Sequence, residues 1–452
     1  MIAPARVAAF DALRSVSLGH QDLSDAVAAA RRSLRDDRDK ALAADIAIGV
    51  QRWRATLDHL ILHFSKRPLD RLDLEVLDIL RLSAYQLMHL TRVPASAVVD
   101  DAVKMTGRAG KRSASGLVNA VLRGLSRSRQ ALPLPPRPAE LASRVATLDF
   151  LSITLSHPRW LVERWLDRYG FEATEQWLRF NNAPAPLTLR ANRFRNTRGQ
   201  LQERLARAGI AATPGRFAPD SLIVDHGQPL GSAGLDEGWF VIQDEASQLL
   251  TLLPGPAPGR RVLDTCASPG GKTTAIAARM DGQALLVACD IRDRRMEILR
   301  RTVTTSGAPN VRLVQADLRE GLPFSRPFDC VFVDAPCSGL GTLRRDPDIK
   351  WRRREAELTT MAAGQLAMLH QAAASVAPGG RLVYATCSSE PEENEAVAAA
   401  FLAGATDFVA VAASAAEPSL PADVVDASGH VRTYPHAHGL EAFFGAVFAR
   451  TA

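Results

Sequence analysis

From about residue 236 onward, short apolar runs alternate with helical stretches, and this alternation limits the fold more than any other feature of the chain. The runs cover residues 261–263, 284–289, 311–316, 329–333 and 381–385, each bounded by Gly, Pro or Asp. Strands of a parallel sheet read as continuous apolar runs because helices cover both faces. The pattern predicts a parallel, doubly wound α/β sheet of Rossmann-like type over residues 236–452. Ligands in such sheets bind beyond the carboxyl ends of the strands, so the residues that follow each run are where chemistry is expected.

The chain is 452 residues long, too long for one ordinary core, so several domains are expected. Residues 1–132 carry Ala, Leu, Val and Ile at three- and four-residue spacings, as at Val76, Leu77, Leu80, Ala84 and Leu87. That spacing predicts an all-α bundle of five to seven helices. Breaks are expected at Arg67-Pro68, at Val93-Pro94 and from Gly107 to Gly110. A proline-rich link, placed over 133–145, follows Leu132. Residues 146–235 mix an amphipathic helix through Trp165 and Tyr169 with a strand at Pro186-Leu-Thr-Leu-Arg-Ala-Asn192, a helix over 198–208 and a short strand from Ser221. They predict a small α+β middle domain.

The N-terminus mixes Arg6, Asp11 and Arg14 into its apolar residues, which rules out a signal-peptide core. No run approaches the roughly 18–20 apolar residues of a membrane helix. The five cysteines lie between 266 and 387 without a C-x-x-C pair, so neither a disulfide framework nor a metal site is expected. The reading is of a cytoplasmic protein with reduced thiols, acting as a monomer away from membranes.

The loop after the first run, Asp264-Thr-Cys-Ala-Ser-Pro-Gly-Gly-Lys-Thr-Thr274, is one residue away from a phosphate-binding P-loop: Cys266 stands where the first glycine belongs. Nucleotide hydrolysis is therefore a competing reading, since Cys330-Val-Phe-Val-Asp334 also passes for the acidic strand of an ATPase. The missing glycine weakens it, because the phosphate cradle needs close backbone approach there. Two further acids, Asp290 and Asp317, close the next two runs. Acids at successive strand ends suit a ligand with a ribose, an adenine and a sulfonium, and would repel a triphosphate. The set favours S-adenosylmethionine as cofactor.

Two more loops hold Asp334-Ala-Pro-Cys337 and Thr386-Cys-Ser388. A lone cysteine is most often a small packed apolar residue. Two of them after two strand-like runs are harder to dismiss, since neighbouring strands would bring both to one cleft. Thiols suit one demanding reaction. Carbon 5 of cytosine is a poor nucleophile until a thiolate adds to carbon 6 and makes the ring an enamine. A second group then helps remove the carbon 5 proton so that the thiolate leaves. The attacking thiol needs electropositive surroundings or a base to ionise near neutrality. Asp334 is placed to hydrogen-bond the amino edge and ring nitrogen of cytosine.

The segments 264–274, 334–341 and 384–389 resemble the signature motifs of the RsmB/Sun group of 16S ribosomal RNA cytosine-5 methyltransferases. Val241-Ile-Gln-Asp-Glu-Ala-Ser-Gln-Leu249 and Asp346-Pro-Asp-Ile-Lys-Trp351 resemble the same family. Gly49-Val-Gln-Arg52, Arg81-Leu-Ser-Ala-Tyr-Gln86 and Val118-Asn-Ala-Val-Leu-Arg123 resemble the RNA-binding bundle of the antitermination factor NusB, and Ser156-His-Pro-Arg-Trp160 resembles the start of the family's middle domain. The resemblance implies a NusB-like bundle, a middle domain and a class I S-adenosylmethionine-dependent methyltransferase domain. It implies Cys387 as nucleophile and Cys337 as the group assisting proton removal and product release. It places Cys266, Ala267, Ser268, Pro269, Gly270, Gly271, Lys272, Asp290, Asp317 and Asp334 around the cofactor, and 16S ribosomal RNA as substrate. One departure stands out: the family's Asp-Gly-Phe-Phe element reads Glu441-Ala-Phe-Phe444 here, a change expected to be absorbed by structure.

The net charge is +6, and residues 1–132 account for it, with 21 Lys and Arg against 14 Asp and Glu. Lys104, Arg108, Lys111 and Arg112 fall in a stretch, 102–129, that contains no acid, and are read as phosphate contacts. Arg345, Lys350, Trp351 and Arg352 follow Cys337 and are read as an RNA clamp, with Trp351 as packing or stacking partner for a base. Three rivals remain. A DNA cytosine methyltransferase resembles this chain in its Pro-Cys cysteine but lacks the Thr-Cys-Ser one. An amino-group methyltransferase calls for D/N-P-P-Y/F where this chain has Asp334-Ala-Pro-Cys337. A non-catalytic RNA-binding factor has no use for both cysteines.

Overall fold

In the computed structural model, which describes residues 2–139, 143–230, 234–255, 259–280 and 284–452, the chain divides into two units. One comprises residues 1–183 with 343–353, and the other 184–342 with 354–452. Residues 140–142 of the expected link and 231–233 near the expected end of the middle domain lie outside the described residues.

The first unit opens with seven helices: α1 Pro4–Ser17, α2 Leu23–Arg32, α3 Asp37–Arg52, α4 Arg54–Ser65, α5 Leu74–His89, α6 Ala95–Arg108 and α7 Ser115–Arg127. Asp22 and Asp36 start α2 and α3 by accepting from backbone N–H groups of the first turn. Helix α5 is buried from Val76 to Leu87 without interruption, the mark of a helix surrounded by others. Two of its polar residues pair inside: Arg81 makes a two-pronged contact with Asp58 at 2.7 and 2.8 Å, and Gln86 accepts from Arg6 at 2.7 Å, whereas Asp78 Oδ2 and Ser83 Oγ are buried without a hydrogen-bond partner. Gly49 is required where α3 meets α5, since a Cβ there would lie 2.0 Å from the Tyr85 ring. The unit continues through α8 Arg144–Asp149 and α9 Arg159–Asn182, the latter broken at Gly170 (φ 76°). Trp165 and Trp177 stack at 4.4 Å within it. Composition put a boundary at the proline-rich link, but α8 and α9 group with the N-terminal helices.

The second unit holds two sheets. The smaller has strands β1 Thr188–Ala191, β2 Ala211–Pro214, β3 Ser221–His226 and β4 Phe240–Ile242 in the order β2-β3-β1-β4, all antiparallel. Helix α10 Arg198–Arg207, started by a Thr197/Gln200 capping box, buries Leu201 and Leu205 against Leu189, Leu222 and Phe240. Helix α11 Glu245–Leu250 leads into the larger sheet.

That sheet contains β5 Arg261–Asp264, β6 Leu285–Asp290, β7 Val311–Gln315, β8 Phe328–Asp334, β9 Val376–Thr386, β10 Phe408–Val411, β11 Val431–Arg432 and β12 Phe444–Arg450. Its order is β10-β12-β9-β8-β5-β6-β7, with β11 on β12. Strands β5 to β9 are parallel, as the apolar runs predict, while β12 runs antiparallel to β9. Helices α12 Gly271–Arg279, α13 Asp293–Ser306, α15 Glu357–Ala373 and α16 Glu395–Gly404 accompany them, and a one-turn helix, α14 Ile349–Arg352, belongs to the first unit. Two apolar cores form: Val262, Leu286, Phe332 and Val383 face one way, Leu263, Val287, Val331 and Leu382 the other. Strand β5 lies between β6 and β8, the point where the chain order reverses and open α/β sheets bind ligands.

Candidate active site

The glycine loop leaves the sheet at this reversal. Asp264 ends β5 fully buried; Thr273 donates to its Oδ2 at 2.7 Å, and its Oδ1 has no partner. Burial pushes the Asp264 carboxyl up to about 7. The loop is held on its other side by Asp290, whose Oδ2 accepts from the Ser268 amide at 3.0 Å and whose Oδ1 accepts from that of Ile291 at 2.9 Å. Gly270 sits at φ 103° just before α12, and a Cβ there would press on Leu299 and Thr302 of α13 at 3.0–3.1 Å. Asp317, beyond β7, accepts from the Arg319 amide and pairs with its guanidinium at 2.7 Å. That hydrogen bond holds its carboxyl below the usual range. The Cys266 thiol is pushed up by burial, and its half-buried side chain packs against the apolar core.

A residue outside the expected set braces this loop. Arg190 of β1 is buried and donates to Gln243 Oε1, to the Gly271 carbonyl and, at 2.8 Å, to Thr274 Oγ1. It ties the small sheet to the first turn of α12. The sequence offered only an arginine inside an apolar strand, a signal of burial with partners still to be found.

The two cysteines come together because their strands are neighbours. Asp334 at the end of β8 is in register with Ala385 of β9; Cys337 follows the first by three residues and Cys387 the second by two. Their sulfurs are 3.3 Å apart, each half-buried. The Gly341 amide donates to the Cys387 carbonyl, and the Ala442 amide to the Gly341 carbonyl, both at 2.9 Å. A Cβ on Gly341 would lie 1.9 Å from the Ala442 carbonyl oxygen. The Glu441-Ala442 turn thus braces the loop of Cys337, and the departure from Asp-Gly sits in backbone packing, with Thr433 donating to the Glu441 carbonyl at 2.7 Å.

Lys272 reaches across from the start of α12, its Nζ donating to Asp334 Oδ2 at 2.6 Å. Burial alone would pull this ammonium down; the Asp334 carboxylate holds it above its ordinary value. For the cysteine pair the direction is clear. A hydrogen bond from the Cys337 thiol, helped by the Lys272 charge, draws Cys387 below its ordinary value against burial, while Cys337 is pushed up.

The residues expected to meet RNA lie in the first unit. Lys104, Arg108 and Lys111 carry charge, but acids from other turns answer them: Asp100 at 2.5 Å, Asp11 at 3.5 Å and Asp73 at 3.0 Å. Arg112 is exposed. Such exposed pairs are weak and leave room for competition by phosphate. Two expectations are corrected. Lys350 is 1% exposed and donates to the Arg52 carbonyl at 2.9 Å and the Ser156 carbonyl at 2.6 Å, so it is an internal anchor and not a phosphate ligand. Trp351 donates its indole N–H to the Gln51 carbonyl at 2.6 Å and has Arg54 over its ring, which makes it part of the same anchor instead of an open stacking platform. Arg345 is part-buried, and Arg352 is exposed and pairs with Asp348 at 3.0 Å. Among the described residues no cluster of His, Cys, Asp and Glu is arranged to hold a metal ion, and no helix is long and apolar enough to cross a membrane.

Five parallel strands, an antiparallel strand beside them and a glycine loop at the reversal point define a Rossmann-like methyltransferase fold, joined here to a helical bundle and a small mixed domain. Family comparisons match three stretches of the chain, and the middle one crosses the boundary between the two units at residue 183. Residues 251–449 match the 16S rRNA methyltransferase RsmB/F family, residues 3–127 the NusB family, and residues 157–231 the ferredoxin-like domain of RsmF/B-like methyltransferases. The chain is 32% identical to the probable ribosomal RNA small subunit methyltransferase B of Bacillus subtilis, over 90% of each protein. It is 35% identical to the ribosomal RNA small subunit methyltransferase B of Pseudomonas putida, over 88% of each. The crystal structure of PH0851 superposes with a TM-score of 0.81 at 25% identity, covering 99% of both chains. The chain belongs to the RsmB/Sun family of ribosomal RNA small subunit methyltransferases.

Proposed function

We propose that the protein transfers a methyl group from S-adenosylmethionine to carbon 5 of a cytosine in 16S ribosomal RNA, through a covalent bond between Cys387 and the base. The observation that carries this reading is the 3.3 Å approach of Cys337 and Cys387 beside the Lys272–Asp334 pair.

The residues present fit the cofactor. Asp264 Oδ1 is a buried acceptor without a donor, the kind of group that an amino-acid ammonium satisfies. Asp290 ends β6 and Asp317 lies two residues beyond β7, where carboxylates suit ribose and adenine edges. When bound, S-adenosylmethionine supplies an activated methyl group on a sulfonium.

The chain's own residues do the rest. The Cys387 thiolate adds to carbon 6 of the cytosine, forming the S–C bond and raising electron density at carbon 5. Asp334, held by Lys272, accepts from the amino group and protonated ring nitrogen, which favours cytosine over uracil. After methylation the Cys337 sulfur, having released its own proton to solvent, takes the carbon 5 proton as the S–C bond breaks, the ring nitrogen returns its proton to solvent, and the Cys387 thiolate is restored. The base has to be unstacked or single-stranded to reach these groups. We assign RNA docking to the helical bundle and to the module of residues 146–235, and activity to a cytoplasmic, metal-free monomer.

The test is adduct trapping. Cys337→Ala incubated with small-subunit RNA and methyl donor should accumulate a protein–RNA species stable to denaturation, and Cys337→Ala combined with Cys387→Ala should not. Methylated cytosine formed by Cys387→Ala at the wild-type rate would overturn the reading.

A further inference from the structure

The serines that follow the two cysteines hang on one buried carboxylate. Glu393 lies in the turn Pro391–Glu393 ahead of α16 and is 0% exposed. Its Oε1 accepts from the Ser338 amide at 2.8 Å and from Gln365 Nε2 at 2.9 Å, and its Oε2 accepts from the hydroxyls of Ser338 and Ser388. Ser338 directly follows Cys337, and Ser388 directly follows Cys387. Gln365 also donates to the Pro336 carbonyl at 3.0 Å, and Asn394 to the Ser388 carbonyl at 2.9 Å. These partners of the carboxylate are uncharged donors, two of them hydroxyls whose oxygens lie 3.2 Å apart. A buried carboxylate is costly unless its lone pairs are filled, so these contacts resist being broken singly.

We infer that Glu393 is the positioning residue for the reaction: it clamps the Pro-Cys loop after β8 to the Thr-Cys-Ser loop after β9 and so sets the distance between the two sulfurs. The inference rests on the reading of Cys387 and Cys337 as the reacting pair. A displacement of about 1 Å separates two groups that act in sequence on one ring, and such errors cost about a hundredfold in rate. The motif around Cys387 drew attention to Thr386 and Ser388, but nothing in the sequence linked a glutamate six residues beyond Cys387 to a loop fifty residues before it.

Cross-linking tests this apart from catalysis. The wild-type enzyme should link Cys337 to Cys387 rapidly with dibromobimane, a short reagent that alkylates two thiols, read by peptide mass mapping. Glu393→Ala should slow that linkage by about tenfold and lower kcat by about a hundredfold, with KM for RNA within about threefold. Glu393→Gln, which keeps one oxygen as acceptor, should restore most of both. Linkage at the wild-type rate in Glu393→Ala, or equal changes in KM and kcat without slower linkage, would overturn the inference. If Glu393→Ala does not fold, Ser388→Ala removes one donor to the same oxygen and should slow linkage about threefold with normal melting; an unchanged rate overturns the clamp. Failure of the cysteine reading shows elsewhere, as methylation surviving in Cys387→Ser, a result that leaves linkage in the Glu393 variants readable.

Discussion

The Lys272 ammonium donates to the Asp334 carboxylate over 2.6 Å, so the lysine that makes the glycine loop look like a phosphate cradle is committed to the end of a neighbouring strand. Its charge also favours the thiolate of Cys387. Replacing Lys272 by Met removes one influence that lowers Cys387, so its ionisation moves upward. Iodoacetamide alkylation of Cys387 should shift about one pH unit higher and slow about tenfold at pH 7. An unmoved profile would show that Cys337 alone tunes the nucleophile.

Asp264 makes stability depend on pH. Its carboxyl is raised from 3.8 to about 7 by burial. The folded state therefore prefers the protonated form; the associated stability is fully present below about pH 4 and is lost as pH rises through about 7. Asp264→Asn should flatten urea-unfolding stability across that window, where the wild type loses roughly 4 kcal/mol. A wild-type curve that rises from pH 4 to 7 by the same amount would contradict the assignment.

Arg190 stays charged at neutral pH even though burial draws it down to about 10. Arg190→Met should leave the Gly271 carbonyl and Thr274 hydroxyl without this donor, costing about 2–4 kcal/mol by thermal or urea unfolding. The first turn of α12 should loosen with it, and calorimetry should find methyl-donor affinity about tenfold weaker, equivalent to about 1.4 kcal/mol.

Lys350 and Arg352, two residues apart, should behave oppositely. Lys350→Met strips two buried carbonyls of their donor and should destabilise the helical unit by about 1–3 kcal/mol while leaving the salt dependence of RNA binding unchanged. Arg352→Glu should melt close to wild type but weaken RNA binding more than methyl-donor binding, with a salt slope shallower by about 1. Equal loss of RNA and donor affinity would count against Arg352 as a phosphate contact.

The larger sheet was legible because burial on both faces leaves unbroken apolar runs, and the strands at 261, 285, 311, 328 and 376 lie where those runs stand. The short strands Ala211–Pro214 and Phe408–Val411 were not, since each keeps much of its surface exposed and has no periodicity to announce it. Side-chain purpose was harder still. Lys350 looks like any surface cation until Arg52 and Ser156, distant in sequence, supply the carbonyls that bury it. Glu393 and Arg190 were invisible as site residues for the same reason: each acts through partners that only folding brings near.

The anchor formed by Lys350 and Trp351 has a consequence for how such a protein is cut or recombined. Its hydrogen-bond acceptors belong to Gln51, Arg52 and Ser156, although its own residues are encoded in the middle of the enzymatic half. A truncation that discards the first 183 residues would strand an ammonium and an indole in want of acceptors, a dozen residues after Cys337. Residues 343–353 fold with the N-terminal unit although the gene encodes them far downstream, so inheritance or engineering has to move both ends of this anchor at once.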